Sequence, residues 1–156
     1  IHSLAGVTWV GLLYYFNFVQ VPAMADALAD EGGPGPAAIG KYVAPRALLW
    51  FRMSAAVTWL TGAWALSLGY GFTNAFLLKP GAEMIGLGSW LGTIMLFNVW
   101  VLIWPNQKKI LGMVEASAEE IAKAKFTAAM ASRTNVVLSV PMLLCMIGAG
   151  HGGYLF

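Results

Sequence analysis

The chain has little of what soluble enzymes work with. Charged side chains make up 10% of its 156 residues, and histidine occurs twice. Soluble domains carry about 25% charged residues, so this shortage excludes an ordinary water-facing surface. Cys145 is the one cysteine, which excludes an intrachain disulfide and a C-x-x-C-H haem c attachment site. A Walker loop and a hydrolase nucleophile elbow are missing, and with them the usual signs of phosphate binding and covalent catalysis. The net charge is +2, and the basic residues fall at helix ends rather than in a stripe, so nucleic acid is not an expected partner.

What is present is apolar surface. Hydrophobic residues reach 59% and the mean hydropathy is +0.70. At about 20 residues per crossing, the expected fold is an all-α membrane protein: an antiparallel four-transmembrane-helix bundle forming a single domain over 1–156. The spans fall at about 2–21, 47–70, 85–104 and 134–156. Pro22 follows the first and Pro105 stops the third, and the Gly- and Pro-rich DEGGPGPAA and Lys79-Pro80-Gly81 break the chain between spans. Pro141 lies inside the fourth and is expected to kink it. Ser117 and Glu120 have capping-box spacing, and Glu119 and Lys123 can pair along one face. These predict a polar helix running into the last span. The sequence opens on Ile1 within a stretch that already reads as helix, so residues before it are expected.

Lys41, Arg46, Arg52, Lys108, Lys109, Lys123, Lys125 and Arg133 lie on the side of the first and third loops, and Lys79 alone lies on the other. The positive-inside rule then puts those loops in the cytoplasm of a bacterium and the termini in the periplasm, with the chain in the inner membrane.

An even number of crossings returns the chain to its starting side. His2 and His151 therefore come to one membrane face, on the first and last helices. Intramembrane histidine marks functional sites, and two imidazoles at matched depth can take the axial positions of a b-type haem. Gly6, Gly148 and the glycines around His151 allow a flat macrocycle close to the backbone, and Trp9 and Tyr154 can pack at its edges. Met142 or Met146 keeps His/Met ligation open. The bland alternative is that both histidines bond to water, backbone or headgroups and the glycines serve helix packing. Two imidazoles are too few for a closed zinc site; only Glu83 could add a carboxylate there.

A second polar set, Asn17, Gln20, Arg52, Asn98, Arg133 and Asn135, falls in the cytoplasmic third of all four helices. It reads as an amide network locking helix register, with Arg52 snorkelling, or as a pocket for an anion, a quinone or another substrate. No Asp or Glu lies in any span, so a carboxylate proton relay is not indicated.

The strings HSLAGVTWVGLLYYFNFVQ, WFRMSAAVTWLTG, NVWVLIWPNQKKILG and ASRTNVVLSVPMLLCMIGAGH occur in this order along most of the apolar sequence. Together they resemble the membrane domain of bacterial membrane-bound urate hydroxylase, the cytochrome c-linked urate oxidase N-terminal domain family. The resemblance carries His2, Trp9, Gly11, Trp59, Gly62, Asn98, Trp104, Pro105, Asn106, Gln107, Arg133, Asn135, Pro141 and His151. It implies a membrane redox component. More remotely, the first and last spans resemble the four-helix haem-b protoporphyrinogen oxidases, which implies haem at His2. Family members with a longer membrane part and a cytochrome c domain exist, and neither feature lies within these 156 residues.

The expectation is thus a haem b protein with His2 and His151 as iron ligands. It would pass electrons between a quinone or a larger membrane redox complex and a periplasmic cytochrome c. The rivals are a cofactor-free accessory subunit of such a complex and an oxidase acting on urate or a porphyrin.

Overall fold

The computed structural model describes residues 1–152, and all of its regular structure is helical. Helix α1 (His2–Tyr15) passes through a π-turn (Phe16–Gln20) into α2 (Val21–Ala29). A second π-turn (Ile39–Val43) leads into α3 (Ala44–Leu68). The short α4 (Phe72–Phe76) precedes α5 (Glu83–Phe97), which passes through a third π-turn (Asn98–Ile103) into α6 (Trp104–Ile110). Helix α7 (Ala118–Gly150) is continuous over 33 residues.

Three of these helices are long and apolar enough to cross a membrane: His2–Ala29, Glu83–Ile110 and Ala118–Gly150. The expected second span has the length, at 25 residues, but not the apolarity. Arg46 and Arg52 lie near its start, and Ser54, Thr58, Thr61 and Ser67 punctuate the rest.

Pro22 and Pro105 do not stop their helices as the sequence suggests. Each proline, and Pro45 with them, sits at the start of a helical segment directly after a π-turn. A proline ring clashes with the carbonyl four residues back and leaves it without a donor. Those carbonyls belong to Phe18, Lys41 and Val101, all inside the π-turns, where the wider winding makes room. Side chains take up neighbouring carbonyls: Arg46 Nη1 donates to Tyr42 O at 2.6 Å and Asn106 Nδ2 to Leu102 O at 2.7 Å. Pro141, by contrast, is carried within α7 without a break in the helix.

The N-terminus of α7 is fixed by the expected capping box. Ser117 Oγ accepts from the Glu120 backbone N–H at 3.2 Å, and Glu120 Oε2 accepts from the Ser117 N–H at 2.8 Å. The Ser117 backbone donor holds the exposed Glu120 carboxyl below its ordinary value.

Helix α1 packs chiefly on α3, and α5 chiefly on α7. His2 meets Gly62, while Phe16 meets Phe51 ring-edge to ring-face at 5.4 Å, so α1 and α3 run in opposite directions. Trp9, Leu13, Phe51, Met95 and Val99 fill the centre. Polar ties join the two pairs: Tyr14 Oη and Ser139 Oγ at 2.7 Å, Asn17 Nδ2 to Ser132 Oγ at 2.7 Å, and Trp59 Nε1 to Thr93 Oγ1 at 2.8 Å. Within the α5–α7 pair, Asn98 Nδ2 donates to Asn135 Oδ1 at 2.8 Å and Asn135 Nδ2 to Met95 O at 3.0 Å.

Asn135 is fully buried with both amide atoms used. Removing it strands Asn98 and the Met95 carbonyl, so Asn135→Ala should lower stability by about 1–3 kcal/mol. Arg133→Ala, at an exposed position, should stay within about 0.5 kcal/mol. Thermal unfolding of the two variants in detergent checks the contrast.

Candidate functional site

Toward the His2 end the two helix pairs part, leaving a cavity of about 740 Å³. Small-molecule and cofactor sites span about 300–1,000 Å³ and are mostly apolar with a few placed polar groups. This one fits that description. Residues from α1, α3, α5 and α7 form the wall, with Tyr70 and Phe76 at its edge. The Tyr14–Ser139 bond crosses beside its inner part, and Tyr70 Oη donates to Ala149 O at 3.0 Å to tie α3's end to α7.

His2 is half-buried on the wall. Its Nδ1 lies 2.9 Å from the Thr58 carbonyl oxygen. A carbonyl only accepts, so Nδ1 carries a proton, and in the neutral ring that tautomer leaves the lone pair on Nε2. Metal-ligating histidines are held in this way, with the second ring nitrogen bonded to a carboxylate or backbone carbonyl. The ring lies against Gly62: a Cβ there would stand 2.9 Å from His2 Cε1 and 3.2 Å from Nδ1. Gly62 is therefore the residue that gives the imidazole its place. At Gly6, a Cβ would make only an ordinary contact, 3.7 Å from Thr58 Cγ2.

The other polar groups of the inner wall are committed. Thr58 Oγ1 donates to Ser54 O at 2.7 Å, Ser89 Oγ to Ile85 O at 2.8 Å, and Trp59, Tyr14 and Tyr70 bond as described above. Two ring nitrogens are without a hydrogen-bond partner, His2 Nε2 and Trp9 Nε1. Trp9 is 2% exposed, and its buried indole N–H has no partner. Such an orphan costs about 1–3 kcal/mol.

The sequence-derived site residues divide. His2, Gly6 and Trp9 line the cavity, together with Met142 and Met146 from α7. Gly148 is buried within α7 but is not on the wall. His151 is exposed at the end of α7; its Nδ1 donates to Ile147 O at 2.8 Å, and it does not line the cavity. Tyr154 lies outside the described residues. Among the described residues no three His, Cys, Asp or Glu side chains gather.

The second polar set does not form one network. Asn98 and Asn135 pair, and Asn17 instead reaches Ser132. Gln20 is buried with its Oε1 unpartnered. Arg52 is half-buried, its guanidinium carbon 3.8 Å from the centre of the Trp104 ring, a cation–π contact. Arg133 faces outward. Two residues from Asn135 is about 200° around a helix of 3.6 residues per turn, so the two cannot share a face.

Thr58, Tyr70 and Ser89 entered the wall without any signal of their own. The run Ser54, Thr58, Gly62 at spacing four does mark a small-residue face of α3, and that is the face His2 packs on.

These features define a helical protein with membrane-length apolar helices and a largely apolar cavity between them. A family model described as urate oxidase N-terminal matches residues 69–156, more than half of the 156 residues, and the chain belongs to that family. The matched region spans α4 to α7 and includes Tyr70, Ser89, Met142 and Met146 of the wall; His2, Trp9 and Gly62 precede it. No curated protein and no solved structure matches the chain.

If the indole N–H is open in the ligand-free protein, Trp9→Phe removes an unpaid polar group. Its stability should then fall by no more than about 1 kcal/mol, the loss in ring packing being offset. Thermal unfolding of the ligand-free variant reads this; a loss above about 3 kcal/mol would mean the N–H has a protein partner.

Proposed function

We propose that the protein is a b-type haem redox component of the bacterial inner membrane, related to the membrane part of urate hydroxylase. The observation that carries this is the His2 imidazole, tautomer-fixed by Thr58 and seated on Gly62, with Nε2 open on an apolar cavity of cofactor size. In this reading α3 crosses the membrane beside the three more apolar helices, giving an antiparallel four-span bundle. Its Arg46 and Arg52 lie at the basic, cytoplasmic end, and the chain termini lie in the periplasm.

Bound there, haem b supplies a one-electron couple whose potential depends on axial ligands and burial. His2 Nε2 would ligate the iron, and the Thr58 carbonyl would hold the ring and raise its basicity. Gly62 leaves the ring its space, and Trp9 offers a donor to an acceptor on the bound group. Met142 and Met146 line the same cavity and would be available as a second ligand. His151 serves only if its ring leaves the Ile147 carbonyl and turns inward. The site lies at the end of the bundle nearer the termini, in reach of a periplasmic cytochrome c, with a quinone or a larger membrane complex as the other partner.

A second reading rests on the open pair of ring nitrogens. An acceptor at His2 Nε2 and a donor at Trp9 Nε1 also suit a quinol, whose hydroxyl donates to one and whose other oxygen accepts from the other.

The test is a reduced-minus-oxidised absorption spectrum of detergent-purified protein supplied with haem, with His2→Ala and Gly62→Val alongside. The expected result is a b-type spectrum in the wild type, lost in His2→Ala and shifted or weakened in Gly62→Val. A colourless wild type with haem in excess contradicts the proposal. Extractable quinone in that colourless protein would favour the quinol reading, and its absence the accessory subunit.

A further inference from the structure

A second concavity lies on the outer side of the α1–α3 pair. It is an open groove of about 570 Å³, walled by Val7, Gly11 and Leu12 from α1, by Val43 from the second π-turn and by Ala47 and Trp50 from α3. Nothing lies within 4 Å of where a Gly11 Cβ would be, so the missing side chain deepens the trough. The wall is otherwise apolar but for Thr8, whose hydroxyl is bonded to the Leu4 carbonyl at 3.0 Å, and for one end, where Tyr42 and Arg46 stand.

That end carries two cations. Arg46 is exposed and held by the π-turn of α3, with Nη1 on the Tyr42 carbonyl. This uses one of the five guanidinium donors. Lys41 Nζ lies 5.3 Å from the centre of the Tyr42 ring. Neither cation has a carboxylate partner among the described residues. The winding of the π-turn thus places Lys41, Tyr42 and Arg46 together at the mouth of an apolar trough.

We infer that this groove binds one anionic glycerophospholipid, with an acyl chain along the trough from Trp50 toward Val7 and the phosphate at Arg46 and Lys41. Charge decides the occupant. A zwitterionic lipid offers a phosphate but brings its own headgroup cation, so the net charge of Arg46 and Lys41 stays uncompensated, and a partner helix would have to bring a carboxylate to the same place. Anionic lipids carry the matching charge next to an acyl chain, and basic clusters at the membrane surface recognise them. Val7 and Gly11 also line the internal cavity, so the bound chain lies against that stretch of its wall. The inference stands without haem.

Native mass spectrometry of delipidated protein tests it, with phosphatidylglycerol and phosphatidylcholine of identical chains as probes. The variants are the Arg46→Gln, Lys41→Gln double and Arg133→Gln, a basic exposed position elsewhere. The wild type should take up one phosphatidylglycerol with a preference of about tenfold or more over phosphatidylcholine. The double variant should lose most of that preference, and Arg133→Gln should keep it. Unfolding temperatures measured without lipid should differ by no more than a few degrees, since every substituted side chain is exposed and only the exposed Arg46 bond to the Tyr42 carbonyl is lost. Equal binding of the two lipids would overturn the inference. So would an unaltered preference in the double variant, an equal loss in Arg133→Gln, or a co-purifying subunit that shields Trp50 and blocks lipid uptake.

Discussion

The hydrogen bond from His2 Nδ1 to the Thr58 carbonyl is the constraint on which the site depends. It joins the first turn of α1 to the middle of α3 and settles the tautomer of the ring. In the neutral ring it also leaves the lone pair on Nε2, beside a wall where Thr58, Trp59, Ser89, Tyr14 and Tyr70 already use their polar groups. A histidine this close to a helix start would ordinarily turn to water. Here it is held flat against Gly62, where any larger residue would displace it. A carbonyl, rather than a carboxylate, as the partner keeps formal charge out of an apolar setting, where an unpaired charge is expensive.

The cavity follows from how the helix pairs are joined. At one level Tyr14, Asn17, Ser132 and Ser139 draw α1 and α7 together, and Asn98 with Asn135 locks α5 to α7. Toward His2 the α1–α7 ties give out and the pairs part. The three π-turns sit away from that opening, each before a proline. They let the helices run on past Pro22 and Pro105 instead of ending in the apolar layer. One of them also fixes the guanidinium of Arg46.

Much of the architecture was legible because membrane helices leave few choices. Apolar runs of about 20 residues, the Ser117–Glu120 cap and the continuous last helix all follow from local sequence. Two features resisted. The prolines read as helix ends, since a sequence does not show when a π-turn will accommodate the ring. Ala44–Leu68 read as a span from its length and aromatics, although its Arg, Ser and Thr residues leave it without a stretch as apolar as those in the other three long helices. Of the residues singled out by type and helical spacing, His2, Gly6 and Trp9 line the cavity. Matching His151 to His2 assumed that equal depth means shared orientation. The C-terminal end of α7 instead turns that ring onto its own helix. Thr58 and Gly62 gained their roles through long-range packing, which spacing alone does not reveal.

With only two histidines, the tautomer is open to direct measurement. Nitrogen NMR of protein labelled with ¹⁵N-histidine, assigned by His151→Gln, should show His2 protonated at Nδ1 and bare at Nε2. On addition of haem, the Nε2 resonance should move or broaden with iron ligation while Nδ1 stays protonated. A His2 ring protonated at Nε2, or one whose signals haem leaves untouched, would contradict the account.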